Sequence, residues 1–296
     1  MNSLSIRALV LGFTLSLLSS QTLVASQQKK TSEPKQPPQV VRTTTRHEVR
    51  RLGYGGTVTL VGAPNGSISV EGWARNEIDI SAEIELRADT EADLDLLAAV
   101  NNFVIDDDVN HVQILSTGTH DKVFMRSAAK KFPKTLLGLP WKIDYRIRLP
   151  LMTDVEVNAG RGPITIAGVE GNVRVLAAES LANLKMTGGV LSAIIAIGRV
   201  SLEVPARSWA RGSAEVRVAA GEIILSVPAG FSGDFDAEIL RSGRIENSYE
   251  GLEPRERQRL TPNKMNVRAG AGGASFNLTV GDGTIYIKKQ TADSKQ

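Results

Sequence analysis

Gly162-Pro163-Ile164-Thr165-Ile166 states a phrase that the chain repeats: a glycine, any residue, an apolar residue, any residue, another apolar residue. Clear copies follow at Gly171-Asn172-Val173-Arg174-Val175, Gly198-Arg199-Val200-Ser201-Leu202, Gly221-Glu222-Ile223-Ile224-Leu225, Gly233-Asp234-Phe235-Asp236-Ala237 and Gly283-Thr284-Ile285-Tyr286-Ile287. Successive side chains of an extended strand point to opposite faces, so apolar residues at every second position turn one face to a core and the other to water. Thr165, Arg174, Ser201, Glu222, Asp236 and Tyr286 take the watery face. The glycine adopts positive φ without a Cβ clash, which lets the chain turn before each strand. Gly162, Gly171, Gly198, Gly221, Gly243 and Gly283 are therefore expected at corners.

The phrases start at positions 162, 171, 189, 198, 212, 221, 233, 243 and 283, with weaker alanine-led copies at Ala182 and Ala274, so most intervals are near ten residues. Strands this short bury their apolar faces only by stacking into one continuous core. An all-β fold follows, with a β-solenoid over residues 151–289. An antiparallel sandwich also carries alternating strands at this spacing. Glycine held in fixed phase with the strand favours the solenoid. Pro205, Pro228 and Pro254 then belong at corners or in loops, because proline inside a central strand removes a ladder hydrogen bond.

Residues 46–150 read as an N-terminal β-rich cap containing one helix. Two copies of the phrase open it, Gly56-Thr57-Val58-Thr59-Leu60 and Gly66-Ser67-Ile68-Ser69-Val70, followed by an alternating strand from Ile78 to Leu86. Thr90 and Asp93 mark a helix start, with Leu94, Leu97 and Ala98 at helical spacing. The open edges of a stacked sheet template aggregation unless covered, and this half supplies the cover.

The first 26 residues have the form of a secretory signal peptide: Arg7, an apolar run from Ala8 to Leu18, then Val24-Ala25-Ser26 as a small-residue cleavage pattern. That run is too short to cross a bilayer comfortably. Residues 27–45, rich in Gln, Lys, Ser, Pro and Thr, read as a disordered tether, and 290–296 as a disordered tail. The 296 residues include no cysteine, which excludes disulfides, thiolate metal sites, a cysteine nucleophile and a lipidated cysteine. The formal charge is +3.

No constellation of residues points to catalysis. His47, His111 and His120 lack the paired spacing of a zinc site, and Asp106-Asp107-Asp108 lacks the glycine and terminal glutamate of a calcium loop. Gly230-Phe231-Ser232-Gly233-Asp234 is out of step with a nucleophile elbow, and the repeat region holds no histidine to act as its base. Glu215, Glu222, Asp236, Glu238 and Glu246 point outward in the expected register with Arg174, Arg199, Arg217 and Arg244 among them. Some β-helix enzymes line such groups along a polysaccharide groove, but any soluble strand carries outward charges.

Two patches remain as candidate partner-binding sites. Trp209 stands between Arg207 and Arg211, where an indole flanked by guanidinium groups stacks on a sugar or holds a phosphate, or else folds back over the coil. The insertion at 122–142 carries Lys122, Arg126, Lys130, Lys131, Lys134 and Lys142 with no acidic residue, interleaved with apolar residues that include Phe124, Met125, Phe132, Leu137 and Trp141. Such a segment suits an anionic membrane surface or envelope polymer. Its plainer reading is a hairpin that buries its apolar side against the cap.

With these motifs in view, the chain resembles the bacterial putative-adhesin family, exported β-solenoid proteins of mostly unknown function related to auto-transporter adhesin head domains. The resemblance covers roughly residues 50–290 and rests on Gly66 to Trp73, the helix-bearing segment, Tyr145 to Pro150 and the recurring glycine phrases. It implies no catalytic residue and no cofactor. The sequence thus predicts an exported, non-enzymatic, adhesin-like or scaffold protein of the cell envelope, whether periplasmic, surface-bound or secreted. Its expected partner is an envelope protein or an anionic envelope polymer, not nucleic acid, and no span remains after signal cleavage. A carbohydrate-active β-helix enzyme and a self-assembling structural protein are the alternatives.

Overall fold

The glycine-led phrases occupy the middle of a predominantly β structure. In a computed structural model the described residues are 40–128, 131–204, 209, 212–255 and 261–290. Their elements run, in chain order, β1 (Val40–Arg51), β2 (Thr57–Val61), β3 (Ile68–Trp73), β4 (Glu77–Ala88), α1 (Glu91–Val100), β5 (Asn102–Asp107), β6 (His111–Thr117), α2 (Lys122–Ala128), β7 (Trp141–Pro150), β8 (Asp154–Arg161), β9 (Ile164–Val169) and β10 (Val173–Met186). There follow β11 (Val190–Glu203), β12 (Ser213–Val227), β13 (Gly233–Asn247), β14 (Leu252–Pro254), β15 (Lys264–Ala269) and β16 (Ala274–Lys289). All sixteen strands belong to one large sheet that does not close on itself.

Two of the short phrases make one long strand. In β10 the buried apolar residues are Val173, Val175 and Ala177, then Ala182, Leu184 and Met186. The alternation therefore slips by one position between Ala177 and Ala182. A slip of one residue in a flat strand would turn the second half of the apolar set to solvent. Both halves are buried instead, within a single contiguous core, so each strand bends and lines that core with two arms. β11 repeats the pattern with Leu191, Ala193 and Ile195, then Val200 and Leu202. Val155, Val173 and Leu191 are parallel register partners, a step of 18 residues from strand to strand.

The bend carries a column of glycines. Gly198 pairs in register with Gly221, Gly221 with Gly283 and Gly283 with Gly243. Gly162, Gly198, Gly221, Gly243 and Gly283 all have φ between 136 and 142°. Gly171 is different: it has no positive φ and lies just before β10, where a Cβ would strike the Thr153 carbonyl. Ser180 stands in the column as the partner of Gly198.

Several sequence expectations change, and the sheet adds features that the repeat does not specify. The boundary at residue 150 does not divide the sheet, because β2 pairs with β8 and β3 with β9, both parallel. Residues 40–45, placed in the tether, belong to β1, which begins at Val40 and pairs antiparallel with β4 along its length. Strand order is not chain order, because β16 lies between β12 and β13. β15 occupies the other side of the first arm of β13, antiparallel, with β14 beyond it. Gln290, placed in the tail, is tied by its backbone N–H to the Val227 carbonyl. The expected signal peptide, residues 27–39 and residues 291–296 lie outside the described residues.

The helix starts where expected. The Thr90 hydroxyl oxygen accepts from the Asp93 N–H at 3.1 Å, and Leu94, Leu97 and Val100 are buried. Arg42 on β1 reaches Glu91 at 2.6 Å and Asp95 at 2.7 Å. No helix of the described residues is long and apolar enough to cross a membrane.

Candidate binding site

The insertion between β6 and β7 is helical rather than a hairpin. Asp121 starts it: its carboxylate accepts from the Val123 and Phe124 N–H groups at 2.8 and 3.0 Å, as an N-cap does. Those two bonds hold the Asp121 carboxyl below the usual carboxylate range. α2 then runs to Ala128, and after Pro133 a single 3-10 turn covers Lys134–Leu136. Met125 and Leu136 are buried, and Phe132 and Leu139 pack against the core. Leu136, Phe132 and Leu139 fasten the insertion to the β body.

The opposite side faces water and carries a different chemistry. Lys122 and Arg126 are one helical turn apart on α2, with Val123 beside them and 74% exposed. Lys131 and Lys134 are exposed, and Leu137 is 41% exposed. A groove of about 600 Å³ opens between α2 and the 3-10 turn. Lys122, Arg126 and Lys134 form its cationic rim, and Met125, Phe132 and Leu137 its apolar wall. Thr119 and His120 complete it. The His120 ring lies 5.3 Å from that of Trp141, and burial lowers its pKa, against the pull of Asp121.

None of Lys122, Arg126, Lys131 and Lys134 forms an ion pair among the described residues. Most strand-face cations are arranged differently, although Arg51, Arg146, Arg174, Lys288 and Lys289 likewise form no ion pair among the described residues. Arg199 meets Glu222 at 2.7 Å, Arg268 meets Asp234 at 2.7 Å, Arg241 meets Asp282 at 2.5 Å and Arg161 meets Glu179 at 3.3 Å. Lys142 belongs to β7 and is held by Asp144 at 2.8 Å.

The outward carboxylates considered for polysaccharide cleavage are likewise engaged. Glu222 and Arg199 are register partners on adjacent strands, Glu215 pairs with Arg217, Glu246 with Arg244, Asp236 with Arg255 and Glu238 with Lys264. Such pairs offset like charges along a stacked sheet. Asp108 caps its own turn by accepting from the Asn110 and His111 N–H groups.

The tryptophans chosen from sequence are structural. Trp209 is 2% exposed, its indole N–H donates to the Gly189 carbonyl at 3.1 Å, and its ring lies 5.4 Å from that of Phe276. It folds back over the strands and offers no face to a sugar. Arg207 and Arg211 lie outside the described residues, as does Lys130. Trp141 is 7% exposed and belongs to the core. The flanked indole has a counterpart at Trp73, with the Arg75 and Arg148 guanidinium groups 4.9 and 4.6 Å from its ring.

No family model matches the chain. No curated protein matches it either. Similar solved structures include a "putative cell adhesion protein" from Clostridium sporogenes, 11% identical with a TM-score of 0.43, covering 83% of this chain and 100% of that one. A "putative adhesin" from Bacteroides fragilis is 12% identical with a TM-score of 0.30, covering 83% and 97%. A "putative lipid binding protein" from Parabacteroides distasonis is 14% identical with a TM-score of 0.22, covering 84% and 97%. Likeness at this level bears on neither chemistry nor partner.

Of the predicted site residues, Arg126 and Lys134 line one groove, and Lys131 is exposed on the segment between α2 and the 3-10 turn. Lys122, Met125, Phe132, Leu137 and His120 line the same groove, the last offered by the sequence only as a metal candidate. The signal for the helix was Asp121 ahead of Lys122-Val123-Phe124-Met125, an N-cap residue before a short apolar run.

Proposed function

We propose that this chain is an exported, non-enzymatic β-solenoid protein with an adhesin-like or scaffolding role at the cell envelope, and that its basic insertion engages an anionic partner there. The observation that carries this reading is a contrast in charge pairing. Most cations on the strand faces sit beside carboxylates, Arg51, Arg146, Arg174, Lys288 and Lys289 excepted, whereas Lys122, Arg126, Lys131 and Lys134, gathered on one insertion beside exposed Val123 and Leu137, form no ion pair among the described residues. A cation matched within its own molecule has little left for a partner, while unpaired like charges raise the local concentration of anions.

The test is capture from an envelope extract by the chain from Gln27 onward and by a K122E/R126E/K134E variant. Charge reversal suits this better than deleting 122–142, because Trp141 is core. A partner retained by the parent and lost by the variant supports the reading. A partner retained equally by both moves the function to the strand faces and overturns the role of the insertion.

A further inference from the structure

We infer that the partner of the insertion is the surface of an anionic lipid bilayer. The inference rests on the reading above, which leaves the anionic partner unnamed, and the apolar half of the site decides its class. Val123 is 74% exposed between Lys122 and Arg126, and Leu137 is 41% exposed next to the turn that carries Lys134. Both are exposed to solvent, while Leu136 is buried in the core and Phe132 packs against it. A hydrated acidic polysaccharide offers phosphate, sulfate or carboxylate groups to the cations but nothing for exposed aliphatic side chains. A bilayer interface offers both, since acidic headgroups draw lysine and arginine while neighbouring apolar side chains enter the acyl boundary.

The geometry fits that division. Lys122 and Arg126 flank Val123 on one helical face, and Lys134 rims the groove that Leu137 helps to wall. Each exposed apolar side chain thus has cations close to it in the chain. The groove, about 600 Å³ and open to solvent, gives a headgroup room beside Met125 and Phe132. The neighbouring acid, Asp121, has its carboxylate bound to the Val123 and Phe124 N–H groups and forms no ion pair with the rim among the described residues, and one carboxylate beside Lys122, Arg126 and Lys134 leaves the rim net positive.

The test is vesicle co-sedimentation with the chain from Gln27 onward, because the apolar run 8–18 would itself bind lipid. Three probes are compared: vesicles of phosphatidylcholine with phosphatidylglycerol, vesicles of phosphatidylcholine alone, and soluble alginate. The expected result is binding to the mixed vesicles that weakens as salt is raised, with little on phosphatidylcholine alone. Each cation near an acidic surface strengthens binding about fivefold, so K122E/R126E/K134E should weaken it by at least about a hundredfold. V123S/L137S, which leaves every cation in place, should weaken vesicle binding about tenfold and leave alginate untouched. V123S alone, at a side chain mostly in water, guards against misfolding at Leu137, and thermal unfolding of each variant checks the fold.

Vesicle binding that V123S and V123S/L137S leave unchanged overturns the inference. So does equal binding to phosphatidylcholine alone. Binding to alginate with none to vesicles overturns it too but keeps the broader reading of an anionic partner. Binding to neither probe, with no partner captured from the envelope extract, ends both.

Discussion

A methyl group on Gly221 has nowhere to go. Its φ is 140°, and a Cβ there would land on the Gly198 carbonyl of the neighbouring strand. The same holds along the column, with Gly283 against the Gly221 carbonyl and Gly243 against that of Gly283. Backbone strain of this kind costs about 1–3 kcal/mol before any displacement of the neighbour. Gly221→Ala should therefore lower stability by at least about 2 kcal/mol in urea unfolding, and a neutral result would mean that the strands do not approach this closely. Two residues on, Ile223 is fully buried while Glu222 faces out to Arg199. Ile223→Ala should cost about 2–5 kcal/mol and Glu222→Ala no more than about 1 kcal/mol. Equal effects would show the register to be wrong. Ser180 supplies a test of opposite sign. It stands in the glycine column, buried, and its hydroxyl has no hydrogen-bond partner among the described residues. An unpaired buried hydroxyl costs roughly 1–3 kcal/mol, so Ser180→Ala should raise the urea midpoint, and a lower midpoint would reveal a partner for the hydroxyl.

The connection from β11 to β12 shows how an element changes the meaning of a residue. Read from sequence, Trp209 between two arginines is a binding motif; in the fold it is a plug, with its indole on Phe276 and its N–H on the Gly189 carbonyl. Gly212 is small for the same reason, since a Cβ there would strike the indole. Trp209→Ala should cost about 3–5 kcal/mol in chemical denaturation while leaving capture of an envelope partner intact in molecules that remain folded. Loss of capture at unchanged stability would restore Trp209 as a contact residue. The strands themselves were legible: Val200, Ile223, Phe235 and Ile285 are all buried as the alternation requires. β1 was hidden because an edge strand has no fully buried residue, and Thr43-Thr44-Thr45-Arg46-His47 shows no alternation of apolar and polar. The place of β16 between β12 and β13 was hidden because every phrase has the same polarity, and nothing in such a repeat says which neighbour a strand must choose. In the insertion the charges were legible and the division into a packed and an exposed side was not, because that division depends on where the body lies.

Across the whole molecule, ionised groups join strands that are distant in the chain, and this sets how the fold responds to acid. Asp234 is held low first by Arg268, with Arg255 adding, and Asp282 first by Arg241, then by Ser242. Burial raises Asp144, but Lys142 and the N–H and hydroxyl of Ser67 outweigh it, and at Asp79 the effects of His47 and Arg148 exceed burial in the same way. In each case the folded carboxyl holds its proton less firmly than the unfolded one. The stability these groups supply is present above the unfolded carboxylate range, near pH 4, and is lost as pH falls through their folded values below it. His120 acts in a separate window. Burial in its contact with Trp141 depresses its pKa, so its ring takes up a proton more readily once the chain unfolds. Unfolded histidine titrates near pH 6.5, so stability should begin to fall below about pH 6.5, by at most about one proton's worth of slope, and then more steeply below about pH 4. The measurement is urea unfolding at intervals from about pH 8 to about pH 3 on the parent and on His120→Gln. Removing the histidine should flatten the upper limb and leave the lower one in place. If both limbs persist in His120→Gln, the upper one belongs to another group and the packing of His120 on Trp141 is not what protonation disrupts; if the lower limb is missing from the parent, the ion pairs between strands do not hold the fold together.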